Sequence, residues 1–88
     1  MQRILKFEAP SPGIDFTHSI PMGAKFLDLQ IQNGRPQMWF LCYTEARPQK
    51  RKFKIFATGE HVPDIYTKYI GTYQKPPFVW HVLEIPEG

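Results

Sequence analysis

The chain has 88 residues, of which 42% are hydrophobic and 22% are charged, and its formal net charge is +3. This length allows one domain, predicted over residues 1–88, and the composition excludes a disordered tail. There is no apolar run long enough for a transmembrane helix, and the first ten residues lack the apolar centre of a signal peptide. A single cysteine excludes an internal disulfide, so we expect a reducing cytosol.

Aromatic residues make up 15% of the chain, and nine residues are prolines. In a domain this small, aromatic side chains supply much of the core, because each buries up to roughly 150–250 Å². Prolines cannot donate to a sheet ladder and do not lie inside helices. Their number predicts short elements and argues against a helical bundle.

The first half of the chain predicts strands around a central hairpin. Residues 3–8 and 15–20 are typical of short strands, and residues 24–32 alternate clearly between apolar and polar. Asn33-Gly34 follows, the strongest short hairpin signal, because both residues accept positive φ. The strand over 37–43 is apolar on both faces, which predicts a central strand or one covered by a partner chain. We expect it to pair with the strand before the turn.

The second half predicts further strands over 50–57, 69–74 and 78–85. Asp64 could cap one short helical turn that ends at Tyr69. Turn signals about every ten residues are typical of an antiparallel sandwich or small barrel. We therefore predict an all-β domain, or a strand-dominated one with one short helical turn, built as a small antiparallel sandwich or barrel-like sheet of about six strands.

Several blocks of sequence match a family pattern in order along the chain. They are Pro21-Met22-Gly23-Ala24-Lys25, Leu29-Gln30-Ile31-Gln32-Asn33-Gly34, Trp39, Thr58-Gly59, Tyr69-Ile70-Gly71-Thr72-Tyr73-Gln74 and Val79-Trp80-His81-Val82-Leu83-Glu84. On these blocks the chain resembles a family of small uncharacterised proteins of tailed bacteriophages and prophages. The segment 41–44 departs from the acidic turn of that pattern. The resemblance implies a small β-rich phage accessory protein and carries over no catalytic residues.

Residues suited to catalysis are sparse. The two serines, Ser11 and Ser19, lack the glycine setting of a nucleophile elbow, and no spacing forces two acids together. Cys42 lies in the most apolar strand, which predicts a buried small hydrophobe and not a reactive thiol. The glycines never cluster into a phosphate-binding loop. We therefore predict that the protein is not an enzyme.

The three histidines fall on three different segments, and nothing in their spacing requires a metal. His18 and His61 are isolated from each other in sequence. His81 alternates with Val79 and Leu83, which predicts a core or interface histidine with one hydrogen bond. Convergence of the three with a nearby acid is the alternative. We predict no metal site and no cofactor.

Five cations lie within eight residues, at Arg47, Lys50, Arg51, Lys52 and Lys54. They exceed the whole net charge, and a local positive field attracts polyanions. Tyr43 and Phe53 lie beside or within this basic run. Cations with neighbouring rings are typical of nucleotide or single-stranded nucleic-acid binding. The alternative is a solvated edge strand, whose lysines only prevent pairing with other sheets.

The aromatic residues exceed what a sandwich of this size can enclose. Trp39, Phe78 and Trp80 lie on strands that are apolar on both sides, which predicts a docking face. A second copy of the chain would cover this face and relieve the marginal stability of a small domain. We therefore expect a homo-oligomer.

These features predict a non-enzymatic phage accessory binding protein that acts stoichiometrically in the host cytoplasm. We expect no interaction with a membrane. Its target would be anionic, either a nucleotide-type molecule or a nucleic acid, and would be sequestered. The alternative is a protein–protein interaction module that masks a host protein through its aromatic face. Salt separates the two, because phosphate contacts weaken steeply with salt and apolar docking does not.

Overall fold

The structure, a computed structural model, describes residues 1–86. These residues form seven strands: β1 (Gln2–Glu8), β2 (Phe16–Pro21), β3 (Lys25–Gln32), β4 (Arg35–Tyr43), β5 (Pro48–Ala57), β6 (Lys68–Lys75) and β7 (Phe78–Ile85). A three-stranded sheet has the order β1-β4-β3, and a four-stranded sheet has the order β2-β5-β7-β6. All pairings are antiparallel. The predicted all-β sandwich is confirmed.

A tight turn sets the register of the three-stranded sheet. Asn33 and Gly34 have φ values of 53° and 77°, as a two-residue hairpin with the twist of the flanking strands requires. β3 pairs with β4 along its length, apart from a bulge between Phe26 and Asp28. β4 lies between β1 and β3. The predicted hairpin and the central position of its second strand are confirmed.

The core lies between the two sheets. Its fully buried side chains include Ile20, Met38, Phe40, Cys42, Phe53, Ile55 and Val82. The sheets approach each other closely at Gly71 of β6, where an added Cβ would lie 3.1 Å from Cδ2 of Leu29 on β3. Cys42 is buried as predicted, and burial raises the pKa of its thiol.

The connection from β5 to β6, residues 58–67, contains two turns. One is closed by the bond from Glu60 N–H to the Ala57 carbonyl, and the other by the bond from Tyr66 N–H to the Pro63 carbonyl. The predicted helical turn from Asp64 to Tyr69 is wrong. From Lys68 onward the backbone instead belongs to β6 and pairs with β7. β5 and β6 are both antiparallel to β7, so this connection crosses back over the sheet. Among the described residues, no helix is long and apolar enough to span a membrane.

Candidate functional site

Strand β5 carries the basic run and lies inside the four-stranded sheet. It pairs with β2 on one side and with β7 on the other. Lys52 and Phe53 pair on both sides, whereas residues 48–51 pair only with β2 and residues 54–57 only with β7. The edge-protection hypothesis therefore does not account for Lys52, whose backbone has a neighbouring strand on each side. Alternate side chains of a strand point to opposite faces, and this alternation divides the basic run into two groups.

Lys50, Lys52 and Lys54 share the outer face of the sheet, and we call them the lysine row. Lys50 and Lys52 are exposed, and Lys54 is half-buried. Two-residue steps along a β-strand place their Cα atoms ~6.6–6.8 Å apart. This spacing is comparable to that of successive phosphates in an extended single strand of nucleic acid. On β2, Ser19 and Thr17 are the register partners of Lys50 and Lys52 and add hydroxyl donors. The row therefore presents charge and hydrogen-bond donors on one face.

The Asp15 carboxylate offsets part of the positive charge of the lysine row. Asp15 Oδ2 lies 3.6 Å from Lys52 Nζ, and the Tyr66 hydroxyl donates to Asp15 Oδ1 at 2.7 Å. The hydrogen bond from Tyr66, with the charges of Lys52 and Lys54, holds the pKa of Asp15 below its usual value. Within residues 1–86, Lys50 makes no ion pair. The row thus keeps a net positive charge.

Arg51 and Phe53 belong to the other group and face the interior. Phe53 is fully buried and stacks on Phe16, with ring centroids 5.4 Å apart. Arg51 donates from Nε to Glu84 Oε2 at 2.5 Å and from Nη2 to Oε1 at 2.8 Å. Its Cζ lies 4.9 Å from the ring centroid of Phe40. The prediction that these two residues contact an anion together with the lysines is wrong, because they project from the opposite face of β5.

The remaining two residues of the predicted set lie away from the lysine row. Tyr43 is exposed, but it ends β4 in the other sheet. Arg47 lies in the exposed connection just before β5, where its carbonyl accepts a hydrogen bond from Met22 N–H. Neither supplies a ring or a charge in register with the lysines on the outer face.

Tyr69 of β6 is an exposed ring on the outer face of the four-stranded sheet, and it was not among the predicted site residues. Lys54, Leu83 and Tyr69 are register partners across β5, β7 and β6. Two strand spacings place Tyr69 ~10 Å from Lys54 along the sheet. The Tyr69 side chain is 54% exposed. Phe56, whose ring lies 5.3 Å from Lys54 Nζ, is buried and cannot stack on a ligand.

His81 holds Tyr69 in place through a cluster of hydroxyl groups. Its Nδ1 lies 2.8 Å from Tyr69 Oη and 3.2 Å from Thr72 Oγ1, and its Nε2 lies 2.7 Å from Thr58 Oγ1. These contacts put His81 on the outer face and half-buried. It was predicted to be a core or interface histidine with one hydrogen bond, and the core position is wrong. A histidine that contacts three hydroxyl groups at once fixes the orientation of the tyrosine beside it.

The other two histidines lie elsewhere. His18 Nε2 is 2.6 Å from the Glu8 carbonyl oxygen, and the His18 ring packs between Phe7 and Phe16. His61 is exposed in the connection after β5. In the described part of the chain, no group of three or more histidine, cysteine or acidic side chains is placed to hold a metal ion.

A second surface feature is a cleft at one end of the sandwich, which we call the aromatic cleft. It has a volume of about 330 Å³, and its lining includes Tyr73, Phe78 and Trp80 with five prolines. The ring centroids of Phe78 and Trp80 lie 5.5 Å apart. Trp39 lies on the three-stranded sheet, where Lys6 and Asp28 are its register partners. The three predicted docking residues therefore do not form one face.

These features define the class of protein: a small all-β sandwich with a basic outer face on its four-stranded sheet. Residues 1–88 match the family model described as Domain of unknown function (DUF7352), and the chain belongs to this family. Comparisons with curated proteins and with solved structures gave no match.

Proposed function

We propose that this protein is a non-enzymatic phage accessory protein that binds a phosphate-bearing target stoichiometrically in the host cytoplasm. The lysine row is the observation that carries the binding function. The resemblance of the sequence blocks to proteins of phages and prophages supplies the biological setting. Sequestration of a nucleic acid or nucleotide by such a surface requires no chemical step.

The position of the lysine row supports the proposal that it binds an anionic ligand. Charges ~7 Å apart lie within one Debye length at physiological salt and therefore repel one another. On an edge strand, this repulsion would be compensated by protection against sheet pairing. β5 has a neighbour on each side, and at Lys52, which pairs with both β2 and β7, that compensation is absent. A polyanion laid along the row removes the repulsion and releases its own counterions.

The arrangement favours a single strand of nucleic acid over an isolated phosphate. Successive lysines along one extended strand match successive phosphates, whereas a mononucleotide reaches fewer of them. Tyr69 lies on the same face and offers a ring for base stacking, which tolerates any base sequence. Binding should therefore depend strongly on strand length and weakly on sequence.

The test measures fluorescence polarisation of a labelled single-stranded oligonucleotide over a range of salt concentrations. We compare the wild type with the triple variant Lys50→Gln, Lys52→Gln, Lys54→Gln. Loss of three phosphate contacts should lower the slope of log affinity against log salt by about 2, at about 0.7 per contact. Competition with a mononucleotide should be much weaker than competition with the unlabelled strand.

A matched control removes the same charge from the three-stranded sheet. Arg3, Lys6 and Lys25 are exposed there, and all three are changed to Gln. This variant should keep the wild-type slope. Equal losses in both triple variants, or no binding by the wild type, would refute the proposal. Folding of each variant is checked by circular dichroism, since surface substitutions usually change stability by only about 0.5 kcal/mol.

A second candidate function is supported by the aromatic cleft. Phe78 is 57% exposed beside the half-buried Trp80, and paired rings at an open end are typical of protein–protein contact. In this case the protein masks a host protein, and binding should resist salt. Phe78→Ser should abolish complex formation with that host protein, while the lysine-row variant retains it.

A further inference from the structure

A polar recess of about 280 Å³ opens at the end of the sandwich opposite the aromatic cleft. It lies between the turn joining β2 to β3 and the adjacent ends of β5, β6 and β7. Its polar groups come mainly from Ala24, Gln49, Arg51, Lys68 and Glu84. The recess uses the inner face of β5, whereas the lysine row uses the outer face. The two features are therefore independent.

Arg51 brings unused hydrogen-bond donors to this recess. Its side chain is 10% exposed, and its guanidinium carries five N–H groups. Two of them bond to the Glu84 carboxylate, and Nη1 makes a longer contact of 3.4 Å to the Ala24 carbonyl. Within residues 1–86, one N–H on each terminal nitrogen is left without a protein partner.

The carboxylate of the recess is already engaged. Both Glu84 oxygens accept from Arg51, and the Glu84 side chain is 3% exposed. Lys68 Nζ lies 3.9 Å from Glu84 Oε1 and remains half exposed. Two cations thus face one carboxylate, which leaves one net positive charge. The half-buried Gln49 amide adds a further donor.

We infer that this recess binds a small oxyanion, a phosphate or carboxylate group, between the guanidinium of Arg51 and the ammonium of Lys68. An excess of donors beside a net positive charge matches a ligand that only accepts hydrogen bonds. Glu84 acts as a positioning residue, because its bidentate pair fixes the plane of the guanidinium. The open side of the recess admits the remainder of a small molecule.

The test is a nuclear magnetic resonance titration of the isotope-labelled full chain. Inorganic phosphate replaces chloride at constant ionic strength, and acetate replaces it in a second arm. The Arg51 side-chain N–H and the Ala24 amide should shift with saturation. Tighter binding of phosphate than acetate assigns the ligand group as phosphate, and the reverse assigns it as carboxylate. Absence of saturable shifts with both anions would overturn the inference.

Two variants and a matched control locate the site. Lys68→Gln should weaken anion binding about tenfold or more, as expected for one charge-assisted hydrogen bond. Gln49→Glu places a carboxylate in the recess and should abolish binding. Lys6→Gln removes the same charge from the three-stranded sheet, where Lys6 is exposed, and should leave binding unchanged. Equal effects of the two lysine variants would overturn the inference. The lysine-row triple variant should still bind phosphate, which separates this inference from the proposed function.

Discussion

Arg51 and Glu84 form a bidentate ion pair inside the sandwich, with N···O distances of 2.5 and 2.8 Å. Both side chains are almost completely removed from solvent. Each charge offsets the desolvation of the other, so neither could be buried alone. The pair joins β5 to β7 beside the recess and couples the stability of the sheet to the geometry of that site.

Removing one partner of this pair should destabilise the fold strongly. Glu84→Gln leaves the Arg51 charge uncompensated, and we expect a loss of about 3 kcal/mol in the free energy of unfolding. Urea denaturation measures it. The double variant Arg51→Met, Glu84→Leu should lose less stability than the sum of the losses of Arg51→Met alone and Glu84→Leu alone, because no charge stays buried in the double variant. Additive losses would contradict a coupled pair.

The hydrogen bond between Tyr66 and Asp15 predicts a loss of stability at alkaline pH. Burial, assisted by the Asp15 carboxylate, raises the pKa of Tyr66 from its ordinary 10 to about 12. A raised pKa in the folded state stabilises the fold below pH 10, and this contribution disappears as the pH rises to 12. Tyr66→Phe should reduce the loss of stability in this window, and the buried Tyr73, whose pKa is also raised by burial, should account for part of the remainder. Spectrophotometric titration should also show that the phenol titrating near 12 is gone.

The same bond predicts the opposite behaviour in acid. The hydrogen bond from Tyr66 is the main cause that lowers the pKa of Asp15 from its ordinary 3.8. A lowered pKa stabilises the fold above pH 3.8, and this contribution is lost as the pH falls below that value. In Tyr66→Phe, the measured pKa of Asp15 should rise, while Lys52→Gln should raise it less. A larger effect of the lysine variant would show that charge dominates the interaction.

Local sequence was sufficient to predict the strands but not their neighbours. The alternation of residues 24–32 and the Asn33-Gly34 turn specify β3 and its pairing with β4, because a hairpin involves only adjacent segments. Whether β5 is an edge or an interior strand depends on its pairing with β2 and β7, which are distant in sequence. No residue within β5 reports those partners, so its interior position could not be predicted.

The division of the basic run did have a signal in the sequence. Phe53 and Ile55 alternate with Lys52 and Lys54, and extending this period by two residues places Arg51 on the apolar face. Treating the five cations as one group hid that difference. The contact with Glu84 had no local signal, because it joins two strands far apart in the chain. Tyr69 was likewise missed, because its register partner on β7 fixes its position.

Gly71 should be intolerant of a side chain. An added Cβ would lie 3.1 Å from Cδ2 and 3.4 Å from Cβ of Leu29 on the facing sheet. Gly71→Ala should destabilise the fold by about 1 kcal/mol, the low end for overpacking, because the Leu29 side chain has to move by a few tenths of an ångström to admit the methyl group. Thermal or urea denaturation measures the change. Leu29→Val in the same chain should recover part of the loss. If Gly71→Ala leaves the free energy of unfolding unchanged, the two sheets can move apart at this point without loss of stability.

The outer face of the three-stranded sheet predicts self-association. Ile4 is 61% exposed and is the register partner of the half-buried Leu41 on β4, next to the half-buried Trp39. A second copy stacked on this face would cover all three, as expected for a symmetric dimer of a small domain. Sedimentation equilibrium at micromolar concentration should give a dimer, and Leu41→Lys should convert it to a monomer.

The competing interface for self-association is the aromatic cleft, and Phe78→Lys tests it with the same change of charge. If the three-stranded sheet is the interface, Phe78→Lys stays dimeric while Leu41→Lys is monomeric, because each lysine disrupts only the surface that carries it. The reverse result would assign the interface to the cleft. A monomeric wild type would contradict both interfaces. It would show that the half-buried Trp39 and Trp80 do not need a partner chain to cover them. Circular dichroism confirms that each monomeric variant is folded, so that loss of the dimer is not loss of the fold.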